Sequence, residues 1–239
     1  MLFFTYSRGF RAGGLTPLSA DPSQPPLIEF KPEFSNNFEI GAKNAFFENK
    51  LLLNATLFYT EVTDVQVPTL VMPDGVIITR NTGRLTSKGL EVELQALLVP
   101  GLEAKYDLGV TNASYGSLLV AQDGGEVNLQ GNKQIYTPEM TSMLSLQYRS
   151  HLGLGKDWEF FARAEWKYLG EQYFDLANSF RQGPYSLYNG NLGLSYNDIQ
   201  LMIWGRNIFD KQYISYGYNF GAVHLGNPAT MGVTLSLDI

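Results

Sequence analysis

The stretch GLEVELQALLVPGLEAKYDLGV, residues 89–110, alternates polar and apolar residues twice around a turn. Leu90, Val92, Leu94, Ala96 and Leu98 share one parity, and Glu91, Glu93 and Gln95 the other. After Pro100-Gly101 the pattern restarts, with Leu102, Ala104, Tyr106, Leu108 and Val110 against Glu103, Lys105, Asp107 and Thr111. A period of two puts alternate side chains on opposite faces, so each half is a β-strand, and the Pro-Gly turn makes the pair a hairpin. A third copy sets Trp158, Phe160, Ala162, Ala164, Trp166 and Tyr168 against Glu159, Arg163, Glu165 and Lys167. In the three segments every charge falls on the polar face.

Outward from this hairpin the same period predicts strands near 1–8, 35–46, 51–62, 84–98, 102–115, 139–149, 157–169, 186–196, 199–207 and 230–239. The fold class is all-β, with about ten strands, and no stretch reads as a helix. Four connections are short (47–50, 99–101, 150–156 and 197–198) and five are long (9–34, 63–83, 116–138, 170–185 and 208–229). Long and short alternate throughout, so neighbouring strands run antiparallel, up and down. Every long connection then lies at one end and every tight turn at the other.

Composition excludes several classes. Seventeen Lys+Arg against 23 Asp+Glu give a net charge of −6 over 239 residues, with no Cys and 2 His. Thiolate metal sites and cysteine nucleophiles are excluded, and no basic block points to nucleic acid as a partner. With 44% hydrophobic residues the chain is too apolar for disorder. The mean hydropathy of −0.11 is too low for membrane helices, and no run approaches 18 apolar residues. MLFFTYSRGF lacks the form of a secretory signal and starts directly with strand-like residues.

Alternation alone does not say whether the apolar face meets a core or lipid. Three features favour lipid. The predicted strands run about 10–14 residues, against about 5–6 in soluble proteins and 9–11 for a tilted membrane strand. Tight turns and long loops are segregated, as in outer-membrane barrels. Aromatics gather near strand ends: Phe46, Tyr148, Trp158 and Tyr196 toward the turns, and Tyr6, Tyr59, Trp166 and Tyr168 toward the long loops.

Five stretches resemble the C-terminal half of the barrel of a TonB-dependent outer-membrane receptor: FFTYSRGFRAGG (3–14), PEFSNNFEIGAKNAFFENKLLLNATLFYTEVTDVQV (32–67), NTGRLTSKGLEVELQA (81–96), GNKQIYTPEM (131–140) and WGRNIFDKQY (204–213). They follow the family's order over about the whole chain. The resemblance implies a segment of an antiparallel transmembrane barrel of the 22-stranded, plugged type, with the plug domain and signal peptide lying outside residues 1–239. It also implies uptake of a metal chelate, most often a ferric siderophore, at the cell outer membrane. The partners it implies are outer-membrane lipid, the chelate, and the TonB complex through the missing N-terminal part. Two other readings of the residues stay open: a self-contained ten-stranded outer-membrane barrel (protease, adhesin or small porin) and a soluble β-sandwich binding module.

Nothing in the sequence supports an enzyme, a cofactor or a bound metal. The strand carboxylates read as wall charges paired across strands, with Lys105 against Glu93 or Glu91 and with Lys167 and Arg163 flanking Glu165. His151 sits in a short turn, and His224 in a long loop without an evident Ser or Asp partner. LGLGK (152–156) has Ser150 and Asp157 where a phosphate loop needs Gly and Ser/Thr. DGGEVNLQGN (123–132) lacks calcium-loop spacing, and the acceptor-like triplets at Asn54 and Asn112 lie in strands. Ligand candidates cluster in the long loops. YFDLANSFRQGPY (173–185) offers Tyr173, Phe174, Phe180, Arg181 and Tyr185, and QYISYGYNFGAVH (212–224) offers Tyr216, Tyr218, Phe220 and His224. Arg8 and Arg11 stand where the first strand reaches the long-loop end. Under the resemblance, Arg supplies charge-assisted hydrogen bonds to an anionic chelate and the aromatics supply stacking surface.

Overall fold

The computed structural model describes residues 1–17, 27–71, 76–81, 83–122, 125–153, 158–218 and 220–237. In chain order, β1 (Leu2–Arg11) leads to the small hairpin β2 (Gly14–Pro17) and β3 (Leu27–Phe30), then to β4 (Glu33–Phe46) and β5 (Leu51–Thr63). The hairpin β6 (Gln66–Val71) and β7 (Val76–Asn81) precedes β8 (Arg84–Val99) and β9 (Leu102–Ser117). The pair β10 (Leu119–Gln122) and β11 (Gly125–Asn128) precedes β12 (Met140–His151) and β13 (Trp158–Leu169). Next come β14 (Gln172–Tyr173), β15 (Arg181–Gln182), β16 (Tyr185–Tyr196) and β17 (Ile199–Arg206). Last are β18 (Ile214–Gly217), β19 (Val223–Leu225) and β20 (Thr230–Leu237).

The ten long strands form one antiparallel sheet in the order β1-β4-β5-β8-β9-β12-β13-β16-β17-β20. They are the ten strands the period predicts. A soluble sandwich needs two packed sheets, and the long strands make only one. The sheet is an open section of barrel wall, with β1 and β20 as its edges among the described residues. The decisive hairpin pairs as its alternation requires: Leu90 opposes Val110, Val92 opposes Leu108 and Leu94 opposes Tyr106. At its turn Gly101 has φ +82°, and a Cβ there would stand 2.1 Å from the Arg149 carbonyl oxygen, so only glycine fits.

Register carries parity across the whole sheet. One face runs through Leu57, Leu90, Val110 and Met140, and through Leu192, Ile203 and Val233. The other runs through Thr56, Glu91 and Gly109. Among the described residues nothing covers the apolar face: Leu57 is 56% exposed, Ile203 53% and Leu235 63%. Withdrawing eight such half-exposed side chains from water is worth on the order of 10 kcal/mol, comparable to the whole net stability of a domain. That face therefore meets an apolar medium rather than water. Trp158 lies against Tyr196 at 4.8 Å near the tight turns, and Tyr6 against Phe38 at 5.0 Å near the long loops, all on the apolar face. These are the two aromatic belts expected from the sequence.

Two expectations need correction. The long connections are not plain loops, because each carries a two-stranded hairpin. Their strands span only 2–6 residues, too short for a period to register, and β6 contains Pro68, which a two-stranded edge tolerates. Lys105 faces Gln95 rather than Glu93, which faces Asp107. Its Nζ lies 3.7 Å from Glu103 on its own strand. Asp123, Gly124 and residues 154–157, on which the calcium-loop and phosphate-loop stretches fall, lie outside the described residues, as do 238–239. The expected Arg163–Glu165 pair is present at 2.6 Å.

Candidate ligand-binding site at the long-loop end

Three of the five long connections build one aromatic surface. Local chemistry fixes the first turn. The Asp175 carboxylate accepts from the Phe180 backbone N–H at 2.7 Å and from the Ser179 hydroxyl at 2.6 Å, while Asn178 takes the left-handed conformation at φ +56°. The chain folds back so that Phe180 lies 5.2 Å from Phe174. Asn178 then binds the β9–β12 connection, accepting from the Lys133 N–H at 2.6 Å and donating to its carbonyl at 3.1 Å. The Tyr136 N–H donates to the Tyr173 carbonyl at 2.8 Å.

These bonds place Tyr136 between two loops. Its ring lies 5.4 Å from Phe174 and is stacked on Tyr216 at 5.4 Å, and its hydroxyl donates to the Gly217 carbonyl at 3.1 Å. Phe180 presses on the Gly217 backbone, where a Cβ would sit 2.6 Å from the ring. The Tyr216 hydroxyl donates to that of Tyr218 at 2.5 Å, and Tyr218 stacks on Phe220 at 5.1 Å. Phe180, Phe174, Tyr136, Tyr216, Tyr218 and Phe220 thus form a continuous run. Phe174 is 4% exposed and Phe220 54%, so Phe174 anchors the run and the tyrosine–phenylalanine end faces solvent.

The base of the last connection is held by Asn207, which is buried and has φ +45°. Its Oδ1 accepts from the Lys211 N–H at 2.9 Å, and its Nδ2 donates to the Lys211 carbonyl at 3.0 Å and the Asn227 carbonyl at 2.9 Å. Its own N–H donates to the Asn189 side chain at 2.9 Å. Asp210 adds a bond from the Ala229 N–H at 2.8 Å. The NIFD stretch (207–210) is therefore a loop clamp.

The remaining expected site residues take other roles. Arg181 is bound to Glu171 at 2.6 Å, and Glu171 also accepts from the Tyr173 hydroxyl at 2.9 Å, so that cation is already neutralised. Tyr185 is buried and stacks on Tyr213 at 4.4 Å, which ties the loop base to the wall. His224 does have a serine partner, contrary to expectation: Ser215 Oγ lies 2.9 Å from its Nδ1 and donates to its carbonyl at 3.0 Å. Ser215 is the extra residue of a β-bulge between Ile214 and Tyr216, which no spacing rule shows. No carboxylate bonds to His224 among the described residues, so the pair lacks the orienting acid of a hydrolase triad. Arg11 is on the polar face opposite Glu33. Arg8 is on the apolar face, its guanidinium 5.3 Å from the centre of the Phe34 ring. Both stand on β1, and neither contacts the aromatic run among the described residues. Tyr136, Tyr213 and Asn207 join the site without having been singled out from sequence.

Three loop phenols are held protonated. Burial pushes the Tyr136 pKa up, the hydrogen bond with Tyr216 raises that of Tyr218, and the hydrogen bond to Glu171 raises that of Tyr173. A raised folded pKa means that the stabilisation is complete below the usual tyrosine value of about 10 and is lost as pH rises through the folded values. In an ultraviolet titration near 295 nm, replacing Tyr136 with Phe should remove a late-ionising component and leave the early ones. Loss of an early component instead would contradict this assignment. Among the described residues no group of three His, Cys, Asp or Glu side chains could hold a metal ion.

A family model described as "TonB dependent receptor-like, beta-barrel" matches residues 1–208. The chain is 25% identical over 241 residues to the pesticin receptor of Yersinia enterocolitica, covering 97% of this chain and 33% of that protein. It is 25% identical over 226 residues to the catecholate siderophore receptor Fiu of Escherichia coli K12, covering 87% and 26%. Among solved structures, the ferric yersiniabactin uptake receptor FyuA from Yersinia pestis superposes with a TM-score of 0.81 at 22% identity, covering 100% of this chain and 35% of that one. The siderophore receptor PiuA from Acinetobacter baumannii gives 0.74 at 18% identity, covering 99% and 33%. The chain thus spans about a quarter to a third of the length of these curated relatives.

Proposed function

The chain belongs to the TonB-dependent receptor β-barrel family, and from that premise we propose that it supplies wall and loops to an outer-membrane receptor that takes up a ferric siderophore. The outer membrane is where it resides, and its relatives are transport receptors rather than enzymes. The chelate is held at the long-loop end, by the exposed part of the aromatic run. A lumen-filling domain and the TonB contact belong to other parts of the receptor.

One observation carries the choice of chelate: Tyr216, Tyr218 and Phe220 present aromatic surface, while Arg181, next to Phe180 in sequence, is neutralised by Glu171. Such a surface favours a chelate that carries aryl rings over one bound chiefly by its charge. The relatives named for ferric yersiniabactin and for catecholate siderophores support this reading.

The test titrates the full-length receptor with a ferric tris-catecholate and, separately, a ferric tris-hydroxamate, following tyrosine fluorescence. Replacing both Tyr216 and Tyr218 with Ala should weaken the catecholate complex by about fivefold to a hundredfold, since two ring contacts of about 0.5–1.5 kcal/mol each are lost. Arg181→Gln should change it less than about fivefold, because an exposed ion pair contributes about 0–1 kcal/mol. Equal affinity in the double variant would place the chelate elsewhere.

A further inference from the structure

The apolar face carries a charge pattern that chelate binding does not use. Following parity through all ten wall strands, its charged residues among those described are Arg8, Glu61, Arg84 and Lys88. All four lie at the long-loop end of β1, β5 and β8, level with or beyond the aromatic belt. Arg8 opposes Asn36, which in turn opposes Glu61, and Lys88 opposes Tyr59. No charge stands on this face from β9 to β20.

The four do not cancel. Arg84 lies 3.8 Å from Glu61, with its side chain 67% exposed. Arg8 and Lys88 are exposed, and neither has an ion pair among the described residues. Arg8 rests over Phe34 on the same face. A cation on a lipid-facing surface is costly near the middle of the hydrocarbon and cheap at the headgroup level, where its long stem covers apolar surface and its head reaches polar groups. Arg84 and Lys88 are four residues apart on one strand, about 13 Å, and Arg8 is three strands from Lys88, about 14 Å. The three cations therefore form a broad band suited to a row of headgroups.

We propose that Arg8, Arg84 and Lys88 form an outward-facing site for phosphate-bearing lipid headgroups in the leaflet on the long-loop side. The charge excess supplies the complementarity, and the flanking Tyr6, Phe34, Phe38 and Tyr59 set its depth at the polar–apolar boundary. This rests on the reading that the apolar face meets lipid. It adds a preference, confined to one sector of the wall, for anionic over zwitterionic lipid.

The experiment uses the full-length receptor in a neutral detergent, titrated with diphosphoryl lipid A, with dioleoylphosphatidylcholine and with inorganic phosphate, counting adducts by native mass spectrometry. Each cation near an anionic headgroup is worth a factor of about five. The triple variant R8Q/R84Q/K88Q should therefore lose lipid A affinity about thirtyfold, since Arg84 is partly offset by Glu61. K88Q alone should lose about fivefold, and heat-modifiable gel mobility confirms that each variant is folded. The lumen-side control R163Q/K167Q should bind as the parent does, and phosphatidylcholine adducts should not change. The proposal is overturned if the triple variant binds lipid A unchanged, if the control falls equally, or if inorganic phosphate displaces the lipid at equal concentration. A receptor that inserts normally and shows no lipid preference would overturn the site and leave the membrane reading standing.

Discussion

Replacing Asn207 with Leu should free the last long connection from the wall and lower chelate affinity on the order of a hundredfold while the wall still assembles. Asn207 is 5% exposed, and its side chain makes three hydrogen bonds, to the backbone of Lys211 and of Asn227. Leucine removes all three and leaves buried backbone groups without partners, at about 1–3 kcal/mol each. It must also hold φ +45°, which costs a bulky residue a further 1–2 kcal/mol. The sum exceeds what fixes a surface loop, so the loop opens first and its tyrosines leave the stack with Tyr136. Hydrogen exchange should rise in residues 209–229 and not in β16 or β17. Asn207→Asp separates the contributions, since it keeps the acceptor for the Lys211 N–H and sets a carboxylate oxygen against two carbonyls. Unaltered exchange in the leucine variant would show that the loop is held by its aromatic contacts instead.

The difference between what was legible and what was not follows from length scale. β8 and β9 run 16 residues each, and β13 runs 12, long enough for period two to be unmistakable and to set register. The hairpins in the loops have no such run. Tyr136 escaped because its stacking partner, Tyr216, is 80 residues away and meets it only after Asn178 and Gly217 have joined three connections. The neutralisation of Arg181 depended on the pairing of β14 with β15, which sets Tyr173 opposite Arg181 and brings Glu171, two residues before Tyr173, within ion-pair reach. Arg8 is a different case. It shares even parity with Tyr6, already assigned to the aromatic belt, so its outward direction was present in the sequence and lost only because its charge suggested a ligand.

That parity yields the sharpest test of the fold, with two adjacent residues of one strand. Leu57 is near the middle of β5 on the apolar face, between Ile40 and Leu90, and Thr56 is on the polar face between Gly41 and Glu91. Arginine at Leu57 must lie in the hydrocarbon. Near the midplane this costs about 2–4 kcal/mol, a factor of roughly thirty to several hundred in the folding equilibrium. Arginine at Thr56 enters a polar cavity of about 550 Å³ that Glu91, Glu93 and Glu39 also line, where it gains acidic partners. Its effect should stay within about 1 kcal/mol. The readout is the denaturant midpoint of the full-length receptor refolded into phospholipid vesicles, with folded fractions taken from heat-modifiable mobility. A core of the soluble kind would reject Leu57→Arg in water as well as in lipid, whereas a lipid-facing wall makes the penalty depend on the bilayer. Thickening the hydrocarbon should therefore enlarge the Leu57→Arg penalty and leave that of Thr56→Arg alone. Equal penalties at the two positions would mean that the faces have been assigned the wrong way round or that neither meets lipid.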